Sequence, residues 1–122
     1  MGWCSIRSKK YIPTEHAEQV GFVQWWKKTF PSMIIFSIPN GGRRAMSVAK
    51  KLKAEGLTPG VPDLYCPRLK MWIEMKRTKG GSLSEEQEKM IAYLRRIGDH
   101  VIIGMGAEDA SRKVLKFLEE RK

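Results

Sequence analysis

This 122-residue chain has only two cysteines, two histidines and no long apolar run. Cys4 and Cys66 are too few for a disulfide framework and belong to no CxxC or Cys/His zinc spacing, so free thiols and no structural zinc are expected. No stretch approaches the roughly 20 apolar residues of a bilayer-crossing helix, and Met1-Gly2-Trp3-Cys4-Ser5-Ile6-Arg7 lacks the apolar core of a signal peptide. A cytoplasmic protein with no membrane partner is expected. Repeats and low-complexity tracts are also missing. Acid is the scarce charge: 13 Asp and Glu face 23 Lys and Arg, a net of +10. The shortage is sharpest in residues 1–53, where 10 basic side chains meet only Glu15 and Glu18. Such a field attracts a polyanion, and nucleic acid is the commonest one.

At 42% hydrophobic and 30% charged, the chain has the composition of one globular domain around one core. Residues 1–12, with Arg7, Lys9 and Lys10 and no apolar period, are expected to be a basic arm, and residues 13–122 the domain. Thr14 is a plausible N-cap for a helix carrying Val20, Phe22, Val23, Trp25 and Trp26 and stopped by Pro31. One of the two adjacent tryptophans is expected in the core and the other part-exposed. Met33 to Ile38 is β-branched and apolar, which predicts a buried strand, followed by a Pro39-Asn40-Gly41-Gly42 loop. Ala45, Met46, Val48, Ala49 and Leu52 share one face of a second helix that Gly56 ends.

Residues 62–66 and 71–76 read as a hairpin around Pro67-Arg68-Leu69-Lys70. Ser84-Glu85-Glu86-Gln87 has capping-box form and opens a helix with Gln87, Met90, Ile91, Leu94 and Ile97 on one face. Val101 to Met105 is a further strand, and Ala110, Val114, Leu115 and Leu118 mark a last helix. The order αβαββαβα, with strand, helix and strand over 71–105 forming a parallel crossover, predicts a mixed sheet with helices on both faces.

Alternation gives the hairpin its faces. Leu64, Cys66, Met71, Ile73 and Met75 form an apolar side that must be core, leaving Asp63, Tyr65, Trp72, Glu74 and Lys76 on the other. With 67–70 as the loop, Cys66 pairs with Met71 and Asp63 falls opposite Glu74, β-carbons roughly 5 Å apart. Two carboxylates that close repel unless a cation lies between them. Oxygen ligands without His or Cys favour Mg²⁺ or Mn²⁺ over zinc. Lys76 brings a positive charge to the edge of that site, suited to orienting water or steadying charge at phosphorus.

Pro62-Asp63 and Glu74-Met75-Lys76 resemble the signature of the PD-(D/E)xK nuclease superfamily. The wider string is similar to the VRR-NUC, or virus-type replication-repair nuclease, family: Ile38 to Gly42, Gly56 to Leu64, Trp72 to Lys76, Leu83-Ser84-x-x-Gln87 and Leu94-x-x-x-Gly98. The resemblance covers about residues 14–110. It implies a restriction-endonuclease-like fold. It also implies metal ligation by Asp63, Glu74 and the Met75 carbonyl, a catalytic Lys76 and a supporting Gln87. The family's first-helix glutamate corresponds to Glu15 or Glu18, and Glu18 is favoured because it sits directly before the apolar run. The activity implied is Mg²⁺- or Mn²⁺-dependent hydrolysis of DNA phosphodiesters, leaving a 5′-phosphate. Short single-domain relatives suggest a homodimer acting on branched, Holliday-junction-like DNA. The family name suggests a viral or mobile-element origin.

Substrate contacts are expected from the Asn40-Gly41-Gly42 loop with Arg43 and Arg44 at the following helix start, and from Arg77 and Lys79 after the acidic strand. Nothing in these contacts reads bases, so backbone shape is the expected basis of recognition. Tyr65 and Trp72 lie on the acidic face, where packing under a helix is favoured over stacking on a base. A non-catalytic basic nucleic-acid-binding module and a flap- or RNA-directed nuclease remain the alternatives.

Overall fold

Thr14 adopts an extended conformation and its hydroxyl accepts from Ala17 N at 3.0 Å, which starts helix α1, Glu15–Thr29. Glu15 and Glu18 in the first turn, and Lys27 and Lys28 in the last, both complement the helix dipole. A computed structural model describes residues 11–39 and 46–122. Beyond α1 come β1 (Phe36–Ser37), α2 (Met46–Ala54), β2 (Leu64–Cys66), β3 (Met71–Lys76), α3 (Glu85–Arg96), β4 (His100–Met105) and α4 (Ala107–Glu120). The strands form one sheet in the order β1-β2-β3-β4. β1 with β2 and β2 with β3 are antiparallel, and β3 with β4 is parallel across the α3 crossover. The described residues thus form a mixed α/β fold with a four-stranded mixed sheet and four helices.

The hairpin turns through residues 67–70, where Lys70 takes a positive φ of 51°. Its register pairs Leu64 with Ile73, Tyr65 with Trp72 and Cys66 with Met71. On one face Leu64, Cys66, Met71, Ile73 and Met75 are buried with Phe22 and Trp26 of α1 and Ala110 and Val114 of α4. Trp26 is wholly buried and its indole N–H donates to the Met33 carbonyl at 2.8 Å, while Trp25 is half-buried beside it. The free thiol of Cys66 is part of this layer, and Cys4 lies outside the described residues. On the opposite face Ile91 and Leu94 of α3 pack with Val101, Trp72, Met90 and Ile103.

Two expectations change. The run from Met33 to Ile38 is buried only in part: Ile35 joins the core with Met33 packed against it, but the strand is limited to Phe36 and Ser37, both exposed, and Ile34 is 69% exposed. The reason is position: β1 is the sheet edge and has a single neighbour. Among the described residues of α2 none is buried, Leu52 is half-buried, and Met46 is 74% exposed. Helical periodicity predicts a helix here but not what covers its apolar side. Of the expected basic arm, residues 1–10 lie outside the described residues, as do Asn40 to Ala45. Among the described residues no helix is long and apolar enough to cross a membrane.

Candidate active site

The hairpin register, continued one step past Leu64 and Ile73, brings Asp63 opposite Glu74. Asp63 ends the ladder with its side chain, whose Oδ2 accepts from Met75 N at 2.8 Å, while its own carbonyl accepts from Ile38 N at 2.8 Å. Since a strand residue's N–H and C=O leave by the same edge, the Met75 carbonyl points towards Asp63 as well. Glu74 is 1% exposed and Lys76 8%, although both belong to the face opposite the main core. Lys76 Nζ lies 3.4 Å from Glu74 Oε2 and donates to Gln87 Oε1 at 3.1 Å.

Gln87 makes two sets of contacts. It closes the capping box of α3, its N–H donating to Ser84 Oγ at 3.1 Å and its Oε1 accepting from Ser84 N at 2.9 Å. Its Nε2 also donates to Glu74 Oε2 at 2.8 Å. The start of α3 is thereby fastened to the acidic strand. Gly60 seats the other wall. At φ +89°, an added β-carbon there would fall 2.4 Å from the Glu86 carbonyl oxygen, so the loop leading to Pro62-Asp63 lies directly on the first turn of α3.

Burial raises the Glu74 carboxyl from its ordinary 4.5 to about 7, the nearby Asp63 charge adds to this, and Lys76 only partly opposes it. Asp63 is raised too, by burial first, against the pull of the Met75 N–H. The second oxygen of Glu74, Oε1, is buried without a hydrogen-bond partner, a costly state for a carboxylate. A divalent cation satisfies all three features at once: an orphaned anionic oxygen, two acids that repel, and a backbone carbonyl on the same edge. No three His, Cys, Asp or Glu side chains converge as a ready cage among the described residues. Mg²⁺ is commonly held by one or two carboxylates together with waters and substrate phosphate, and Asp63, Glu74 and Met75 fit that pattern.

The open side of these acids is a cleft of about 290 Å³ lined by Glu15, Pro59, Gly60, Val61, Asp63, Glu74, Ser84, Glu86 and Gln87. Of the two first-turn glutamates it contains Glu15 and not Glu18, the one favoured from the sequence. Glu18 Oε1 accepts from Ala107 N at 2.8 Å, capping α4, whose own N-cap is Gly106 and offers no side chain. Glu15, one turn earlier, faces the acids closely enough that its charge helps raise both. The placement follows from Arg77, which donates to the Pro13 and Ile12 carbonyls at 3.3 and 3.2 Å and ties the start of α1 to the end of β3. No local sequence signal announces a contact 64 residues apart.

The expected substrate contacts divide. Asn40, Gly41, Gly42, Arg43 and Arg44 lie outside the described residues. Lys79 is exposed, whereas the Arg77 guanidinium is committed to the two carbonyls. His100 packs on Phe117 with ring centroids 4.6 Å apart. His16 lines a larger hollow of about 480 Å³ between α1 and β1, which contains no acid. In comparison with known proteins, no family model, curated protein or solved structure matches the chain.

Proposed function

We propose that this protein is a Mg²⁺- or Mn²⁺-dependent endonuclease that hydrolyses DNA phosphodiester bonds in branched DNA, built on a restriction-endonuclease-like sheet of the VRR-NUC type. The observation that carries the reading is the buried, partnerless Oε1 of Glu74 opposite Asp63, with Lys76 beside it. The ion, when bound, supplies a Lewis acid to the phosphodiester. Asp63 and Glu74 would hold it, and Asp63 is kept in place by the Met75 N–H. Lys76 directs its ammonium to the phosphoryl oxygens, where charge grows as the water attacks, and Gln87 fixes the Lys76 and Glu74 side chains relative to each other. Glu15 adds negative charge at the mouth of the cleft, favouring a divalent ion. The net charge of +10 supplies the attraction to a polyanion. A homodimer belongs to the same proposal.

The test is cleavage of labelled branched and linear DNA in Mg²⁺, Mn²⁺ or EDTA by the wild-type chain, Asp63→Ala and Lys76→Ala. Metal-dependent cleavage lost in both variants while DNA binding persists is expected. Binding without cleavage of any substrate would leave a basic DNA-binding module. Sedimentation at micromolar concentration tests the dimer, and a monomer alone would remove that part.

A further inference from the structure

Among the described residues, one half of the acidic face has no helix over it. Among the described residues α3 packs on β4, and no helix packs against β1 or β2 on this side. A sheet face open to water ordinarily alternates to polar side chains. Here the register instead aligns Phe36, Tyr65 and Trp72 in one row across β1, β2 and β3. Their rings are contiguous, with centroids 6.0 Å apart for Phe36 and Tyr65 and 4.3 Å for Tyr65 and Trp72. Trp72 has one edge under α3 and its indole N–H bonded to Asp99 at 2.9 Å, so the row is anchored at that end. At the other end Phe36 is 46% exposed and Tyr65 half-buried.

The row lies two residues along each strand from Asp63 and Glu74, about 6.7 Å away, within the reach of one nucleotide. Just beyond it the hairpin loop presents exposed Arg68 and Lys70. A nucleic-acid strand laid along the hairpin would place a phosphate at the acids, the next base over the rings and further phosphates at the cationic loop. Aromatic faces take up bases with little regard to sequence, but only bases whose faces are free. A protein seated on the row would cover the acid cleft one step away, which argues against a partner subunit there.

We infer that the Phe36–Tyr65–Trp72 row stacks an unpaired base next to the scissile phosphate, so that the branched DNA this site takes is a flap or fork with a single-stranded arm rather than a fully paired junction. This rests on the nuclease reading above and narrows its substrate.

The test separates binding from cleavage. In EDTA, fluorescence anisotropy measures affinity for a single strand, a fork, a matched duplex and a four-way junction, and 2-aminopurine next to the expected cut reports stacking. Phe36→Ala and Tyr65→Leu are expected to weaken single-strand and fork binding about tenfold, to abolish the 2-aminopurine quenching, and to leave duplex binding unchanged. Phe36 is exposed enough that its variant carries the test even where Tyr65→Leu does not fold. Unchanged single-strand affinity and quenching in Phe36→Ala would overturn the inference, as would Phe36→Ala dissociating a dimer without altering DNA affinity. Ring-dependent binding by a wild-type chain that never cuts in Mg²⁺ would uphold the stacking row and end the hydrolase reading. Metal-dependent cutting of the fully paired junction in preference to the fork would do the reverse.

Discussion

Glu74 is held in a state that favours protonation. Its carboxyl sits near 7 in the fold and near 4.5 in an exposed chain, so between these values the native protein binds a proton that the unfolded chain has released. The stability this contributes is complete below about 4.5 and is lost as the pH rises through about 7. In EDTA, the melting temperature of the wild type relative to Glu74→Gln is therefore expected to decline from pH 5 to 8, and saturating Mg²⁺ to reduce that decline. Calorimetry at constant ionic strength checks both. Asp63→Asn keeps an acceptor for Met75 N and removes one of the repelling charges, so the metal-free protein is expected to gain about 1 kcal/mol, roughly 3–5 °C, while losing Mg²⁺ affinity by titration calorimetry. The two first-turn glutamates separate in the same assays. Glu18→Ala is expected to cost about 1 kcal/mol through the lost cap on α4 with metal affinity intact, and Glu15→Gln to weaken Mg²⁺ binding with little change in melting.

Among the elements, the hairpin and the start of α3 make the site, and most of both is legible in the sequence. Four turn residues between alternating runs fix the pairing, and with it the juxtaposition of Asp63 and Glu74. Ser84 and Gln87 announce a capping box, but the capping box does not reveal that the same amide also holds Glu74 and Lys76. That depends on where the crossover lays α3, which Gly60 helps set. Gly60→Ala forces a side chain into a positive-φ position against the Glu86 carbonyl, with an expected cost of about 1–3 kcal/mol. A spectrum still folded at low temperature, with cleavage reduced far more than DNA binding, is the outcome that fits a displaced wall. The edge strand and α2 show the opposite limit. Apolar residues there satisfy the pattern of a buried element, yet among the described residues Phe36, Met46 and Val48 stay exposed, because burial depends on neighbours that periodicity does not specify.

For the molecule as a whole, the net charge of +10 favours a polyanion, and tertiary ties decide which cations are free to meet one. Lys79→Ala is expected to lower the slope of log affinity against log salt by about one, as for a single lost phosphate contact. Arg77→Ala is expected to leave that slope nearly unchanged and to destabilise the fold, because its guanidinium holds the Ile12 and Pro13 carbonyls. A salt series of binding isotherms with parallel melts distinguishes the two. The sequence by itself determined the elements, the two faces of the hairpin and the meeting of two acids beside a lysine, since alternation and turn length are local rules that need no partner. Only the tertiary structure decided that Glu15 rather than Glu18 borders the acids and that, among the described residues, one oxygen of Glu74 is buried without a partner and an aromatic row has no helix over it. Each of these depends on how distant segments pack, and packing is a property of the assembled chain.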